Sequence, residues 1–319
     1  SCYEGALEYY KETNDKHYLD MCIRFAQDVM DNDITIVGGT SCYHELFDRS
    51  EKFQIYPTNF FAQETCITIS LMIYFNELYK ITGDFRYIDV IEIMYYNLYM
   101  GTLNTNRISF DHPLPFDSYS PLINGVRGSG IGGKKYLNDQ RFYGCCAAIG
   151  SAGYGVFMDS SSVVKEKCLI INSYGARTIR MAVENKIFTV KICGNYPLNG
   201  KIKIEVFAET STPLQVAFRI PYWCEKVRHF AMGSDVEYSP QGKYFSIRKN
   251  WEGYNTIEFE FDMRTMVEKR YNNNNKKKYF CVKRGPFVFA SDARFCNMNH
   301  VWKGDPDIYK INNKIQIEE

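Results

Sequence analysis

The hydrophobic periodicity of this chain changes once, near residue 164, and that change limits the folds open to it more than any other feature. Upstream, apolar side chains recur at helical spacing: Tyr18, Leu19, Cys22, Phe25, Ala26 and Val29 fall on one helix face. Downstream they alternate. Ile202, Ile204 and Val206 interleave with Lys201, Lys203 and Glu205, and Ile257, Phe259 and Phe261 interleave with Glu258, Glu260 and Asp262. Val216, Phe218 and Ile220 repeat the pattern. A segment with helical period cannot bury one face as a strand, nor the reverse. The chain therefore reads as multidomain, α then β, with a helical part over residues 1–163 and a β region over residues 164–319. Many short strands separated by turns such as Pro197-Leu198-Asn199-Gly200 predict an antiparallel β-sandwich, with the start of a second β module near the C-terminus.

Within the helical part, residues 3–12 and 16–30 form one predicted pair, and residues 65–81 and 85–100 another. Gly83 supplies a helix stop and Asp84 the next N-cap. The two junctions resemble each other: Tyr10, Lys11, Thr13, Asp15, Tyr18 and Asp20 match Tyr79, Lys80, Thr82, Asp84, Tyr87 and Asp89 at a constant offset of 69. A repeated helical hairpin implies a toroid or solenoid of helix pairs. Two long segments, residues 31–62 and 102–144, interrupt the helices, and loops of that length in a compact domain are usually functional.

At 319 residues the chain has room for two domains and a sizeable core. Its net charge of +1 gives no electrostatic reason to expect nucleic acid or a membrane surface as partner. Aromatic residues reach 16%, a surplus that suits sugar stacking but is more often core packing. The eleven cysteines are odd in number and irregular in spacing, which predicts reduced thiols and a cytoplasmic location. No run of about 18 apolar residues occurs, so no transmembrane helix is expected.

The chemistry concentrates where the long segments end. Glu64-Thr65-Cys66 follows the first, and the adjacent Cys145 and Cys146 follow the second. Three thiols and a carboxylate have the softness and charge that tetrahedral zinc favours. Adjacent cysteines on one metal would form a cramped chelate, leaving one thiolate easier to detach and free to react. The same pair also reads as two buried small residues or as a strained vicinal disulfide.

The ordered set of segments resembles glycoside hydrolase family 127, the zinc-dependent β-L-arabinofuranosidase family. The matching stretches are Gly38-Gly39 with His44-Glu45-Leu46-Phe47, Glu64-Thr65-Cys66, Glu92 with Tyr96-Asn97, Pro113-Leu114 and Cys145-Cys146. In the β region they are Phe218-Arg219-Ile220-Pro221-Tyr222-Trp223, Gly242-Lys243-Tyr244-Phe245 with Trp251, and Lys283-Arg284-Gly285-Pro286. The resemblance implies part of an (α/α)₆ toroid followed by β-sandwich modules, with Zn²⁺ held by Glu64, Cys66, Cys145 and Cys146. It also implies that Cys145 is the nucleophile of a retaining glycosidase and Glu45 its general acid and base, acting on β-L-arabinofuranosides of plant glycans.

Other readings stay open beside it. The same chemistry could act on another, acidic sugar, and a closed zinc site could serve a non-catalytic carbohydrate-binding or structural protein. Glu45 by itself reads as a solvated loop carboxylate. His44 and His112 read as hydrogen-bonding loop residues near the sugar rather than as metal ligands. Glu92 reads equally as a sugar contact or as an ion-pair partner on a helix face. A ring of six hairpins needs about twelve helices, more than this chain shows, so it is expected to be the C-terminal part of such a protein and inactive by itself.

Overall fold

The computed structural model of the chain describes residues 2–40, 47, 65–101, 135–136, 142–143, 145–230, 236–238, 244–272 and 277–289. The chain divides into two compact units, each assembled from separate stretches. One comprises Ser1–Ile23, Leu71–Glu92 and Ala152–Met263; the other comprises Arg24–Ser70, Ile93–Ser151 and Arg264–Glu319.

The helical part follows the apolar periodicity. Helices α1 (Cys2–Thr13), α2 (Lys16–Asn32), α3 (Thr65–Thr82) and α4 (Arg86–Ile93) come in the expected order. The repeat at offset 69 is a repeat of capping chemistry. Asn14 and Gly83 both end a helix at positive φ, 55° and 74°, and each donates its N–H at 2.7 Å to Tyr10 or Tyr79. Asn and Gly are the residues that tolerate this left-handed stop. Thr13 and Thr82 then turn their hydroxyls back to the carbonyls of Tyr9 and Leu78. Asp15 and Asp84 each accept the N–H two residues ahead at 3.0 Å, as N-caps do.

One element departs from the predicted helix over residues 85–100. The α-helix ends at Ile93, and Met94–Tyr99 continues as a π-helix. Apolar spacing is nearly unchanged by one wide turn, so periodicity cannot reveal it. Asn97 occupies that turn and is buried. Its amide nitrogen donates to the carbonyls of Ile93 (3.0 Å) and Pro286 (2.8 Å), and its oxygen accepts the Val288 N–H at 2.8 Å. Gly38 lies against the same element at φ 85°, where a Cβ would meet the Met94 backbone at 2.7 Å. Only glycine fits there.

The β region corrects the expectation of short, purely antiparallel strands. After α5 (Cys145–Gly150) and α6 (Ala152–Ser160) come β3 (Ser162–Lys165), β4 (Cys168–Ile171), β5 (Arg177–Val183) and β6 (Lys186–Cys193). They are followed by β7 (Lys201–Arg219), β8 (Val227–Phe230), β9 (Val236–Tyr238) and β10 (Tyr244–Phe261). The eight strands β3 to β10 belong to one sheet. Segments that read as separate strands are two continuous ones of 19 and 18 residues, β7 and β10, paired antiparallel along their length. Their register slips between Trp251 and Gly253, a bulge that lets long strands bend without ending. β4 runs parallel to β7, so the sheet is mixed. Alternation identifies a strand's faces but carries no information about its direction.

A separate antiparallel sheet holds β11 (Thr265–Asn272), β12 (Lys277–Arg284) and β13 (Phe287–Phe289). Within the polar run over residues 272–278, Asn272 ends β11 and Lys277 and Lys278 begin β12, the two strands pairing antiparallel. The aromatic surplus packs the core: Phe218–Phe245, Phe245–Phe259 and Tyr174–Phe261 ring centroids lie 4.9, 5.0 and 5.1 Å apart. Each such pair contributes roughly 0.5–1.5 kcal/mol beyond its buried area.

At the centre of the first unit sits Arg219, fully buried. Its guanidinium binds Asp89 through Nη1, lies 2.7 Å from Glu92 Oε1 through Nη2, and donates from Nε to the Asn172 carbonyl at 2.7 Å. Burial disfavours the charged guanidinium, but the two carboxylates outweigh it and hold the group more firmly protonated than in water. Asn172 accepts hydroxyl hydrogens from Tyr244 (3.0 Å) and Tyr79 (3.2 Å), and Tyr174 donates to the Arg219 carbonyl.

Arg219→Met is therefore expected to lower stability by about 3–5 kcal/mol, because it strands two buried carboxylates. Asp84→Ala, which removes one exposed cap, should cost about 1 kcal/mol. Urea titration of both variants checks the order, and equal costs would refute the central role of Arg219.

Glu77 offers a pH test. Burial opposes its ionisation, but hydrogen bonds from Lys11 (2.6 Å) and Lys80 (2.9 Å) outweigh burial and hold the carboxyl below its ordinary range. Its contribution is complete above the unfolded value, roughly 4.3, and is lost as pH falls through the lower folded value. Glu77→Gln should be less stable than wild type at neutral pH by under about 1 kcal/mol. The gap should close in acid, as thermal melts across pH would show.

Candidate functional site

The thiols of the expected metal set stand at helix starts. Cys66 lies in the first turn of α3, half-buried, between the buried Thr65 and a helix that runs on for four more turns. Free N–H groups in a first turn favour negative charge nearby. Cys145 and Cys146 open α5, directly after the two-stranded sheet of β1 (Lys135–Tyr136) and β2 (Phe142–Tyr143). The far end of α5 is tied down: the Tyr99 hydroxyl donates to the Gly150 carbonyl at 2.9 Å, and Tyr99 stacks on Tyr95 at 5.3 Å. The three cysteines belong to one compact unit and Glu92 to the other.

Glu92 is 1% exposed and is engaged by the β region rather than by a neighbour on its own helix. Its Oε1 forms an ion pair with Arg219 Nη2 at 2.7 Å and accepts the Tyr196 hydroxyl at 2.5 Å. Among the described residues its Oε2 is buried with no hydrogen-bond partner.

His44, Glu45, Glu64 and His112 lie outside the described residues. Among the described residues no group of three or more His, Cys, Asp or Glu is placed to hold a metal. The donors that are described suit the group in kind: thiols at two helix starts, one of them half-buried. The loop that leads toward Glu45 is ordered at its root by Thr35, whose hydroxyl accepts the Gly39 N–H at 3.0 Å and whose N–H donates to the Gly39 carbonyl at 2.7 Å.

Sequence reasoning did not assign Asp89, Asn97, Asn172, Tyr196 or Arg219 a role. Arg219 and Asn97 sit inside stretches noted for their resemblance, and the structure shows these stretches as anchors. Asn97 reaches Pro286, which joins the stretches at residues 96–97 and 283–286. Tyr244 reaches Asn172, and Trp251 donates to the Leu214 carbonyl at 2.9 Å. Their signal was a polar residue inside an apolar run.

Among the described residues, no helix is long and apolar enough to cross a membrane. Comparison with curated protein sequences gives no match. Solved structures that share the fold include the following three. A GH127 β-L-arabinofuranosidase from Geobacillus stearothermophilus T6 aligns at 19% identity and a TM-score of 0.67, over 90% of this chain and 45% of its own. A GH127 β-arabinofuranosidase aligns at 21% and 0.68, over 90% and 46%. A glycoside hydrolase aligns at 18% and 0.65, over 90% and 50%. The chain thus spans about half the length of these proteins. The profile of the β-L-arabinofuranosidase GH127 catalytic domain matches residues 2–151, and that of the GH127 middle domain matches residues 168–263. Taken in that order, the two domains account for most of the sequence, and the chain belongs to glycoside hydrolase family 127.

Proposed function

We propose that the protein of which this chain forms all or part is a retaining glycosidase that cleaves β-L-arabinofuranosides of plant glycans with a cysteine nucleophile. The observation that carries this reading is the catalytic-domain match over residues 2–151, which spans every residue proposed to act. The solved structures that share the fold include two described as arabinofuranosidases, which supports the sugar. We also propose a domain boundary at residues 163/164, with the helices forming part of an (α/α)₆ toroid and the strands forming sandwich modules. The catalytic and middle matches on either side of residues 152–167 support that boundary.

Glu64, Cys66, Cys145 and Cys146 would hold zinc, whose charge keeps a coordinated thiol deprotonated. Each protein group then has one task. The Cys145 sulfur attacks the anomeric carbon as the glycosidic bond breaks, forming a thioglycosyl-enzyme. Glu45 gives its proton to the departing oxygen and then takes one from the water that releases the sugar. Glu92, His44 and His112 contact the sugar. A reducing, cytoplasmic setting rests on the odd number and irregular spacing of the eleven cysteines.

Purified, reduced protein is expected to hold zinc in a one-to-one ratio by elemental analysis. A Cys66→Ser, Cys145→Ser double variant should lose it, and full retention of metal in that variant would remove the proposed ligand set.

Kinetics test the roles on full-length protein with chromogenic β-L-arabinofuranosides. Glu45→Ala should slow turnover roughly 10²–10⁴-fold on poor leaving groups and far less on good ones. Cys145→Ser should be slow on both. Wild-type rates from Cys145→Ser would end the nucleophile assignment.

A further inference from the structure

The β region carries a groove of about 700 Å³ whose lining includes none of the residues assigned to the proposed reaction. It lies where the two-residue turn between β3 and β4 meets the bend of β7 and β10, and all its walls belong to one compact unit. Its size is that of a small-ligand site. Four cations line it, Lys165, Lys167, Arg248 and Lys249, against one carboxylate, Glu166. In a chain whose net charge is +1, this is a local concentration.

Three of the four cations, Lys165, Arg248 and Lys249, have no carboxylate partner among the described residues. Lys167 pairs with Glu184 at 2.9 Å, an exposed pair. Lys249 instead donates to the Asn255 side chain at 2.7 Å and rests 4.9 Å from the Trp251 ring, which fixes its stem. Arg248 is held by Gln215, which accepts from Nη2 at 2.9 Å and is itself anchored on Ser246 at 2.9 Å. Gln215 pairs in register with Arg248 on one side and Cys168 on the other, so the guanidinium is presented from a three-strand floor.

We infer that this groove binds a uronic-acid-bearing oligosaccharide through residues other than those assigned to hydrolysis. The inference goes beyond the proposed activity, though the choice of a sugar polymer as occupant rests on it. A planar guanidinium oriented by one side chain matches a carboxylate in two-point fashion. Lys165 and Lys249 supply charge for further carboxylates along the same chain. The remaining walls suit sugar rather than phosphodiester: Asn250 offers an uncharged amide to hydroxyls, and Pro213 offers an apolar ring to C–H faces. A nucleic-acid track would need many more cations in line to release counterions along a backbone.

Calorimetric titration of the chain at low salt decides it, with a galacturonic acid trimer, a neutral galactose trimer, inorganic phosphate and a short single-stranded oligonucleotide as probes. The uronate trimer should bind, the neutral trimer should not, and Arg248→Gln should weaken the uronate roughly tenfold or more. Lys165→Gln, at the exposed end of β3, should weaken it less and serves if Arg248→Gln misfolds. Equal binding of the neutral trimer, no binding of the uronate, or an unchanged Arg248→Gln would overturn the proposal. So would phosphate or the oligonucleotide binding more tightly than the uronate. Binding is read without turnover, so a catalytically inert protein would overturn the proposed activity while the titrations still decide the groove.

Discussion

A guanidinium with no access to water organises the first of the two units. Arg219 sits on the last residue of β7, and Asp89 and Glu92 lie three residues apart on α4, the spacing that puts two side chains on one helix face. The fork of the guanidinium meets both carboxylates, while Nε takes the Asn172 carbonyl. Burying an ion in this way is tolerable only where opposite charges and hydrogen bonds surround it. The surrounding tyrosines, Tyr174, Tyr196, Tyr79 and Tyr244, supply hydroxyls to the carbonyl, carboxylate and amide oxygens of that network. Rotation or sliding of α4 against β7 would break several of these bonds together, so the helix has one acceptable register.

The long strands follow from a different constraint. β7 and β10 pair over almost their full length, but β7 offers its other edge to β6 in one half and to β4 in the other. One strand can serve two sets of neighbours only if it bends, and the bulge at Trp251 and Gly253 provides the bend. Trp251 fills the inside of that corner, fully buried and packed edge-on to Phe188 at 6.1 Å. The cationic groove lies beside the same corner, so the residue that stabilises the bend also supports Lys249 beside the opening.

In the other unit the organising group is neutral. Asn97 uses both ends of its amide on the backbone that joins β12 to β13, and its place in a π-helix gives it a second carbonyl, that of Ile93, within reach. A wide helical turn with a polar residue at its centre commonly marks a site that function has shaped. The packing of Phe287 against Tyr96, 6.0 Å between centroids, completes the contact.

Periodicity by itself determined the order of helices and strands, the helix stops at Asn14 and Gly83, and the strand faces, because these depend on residues close in sequence. Local chemistry also marked Cys66, Cys145 and Cys146 as notable, since thiols and carboxylates are scarce and specific in what they bind. Direction, continuity and partnership were decided only by the tertiary structure. That β4 runs parallel to β7, that two predicted strands are one, and that Glu92 meets an arginine 127 positions away all depend on which segments pack together. Local alternation is identical for either strand direction, and a carboxylate on a helix face carries no mark of its distant partner. Family resemblance located the stretches containing Arg219 and Asn97, but only the folded chain showed that they work as anchors, because a hydrogen bond between remote residues leaves no spacing to read.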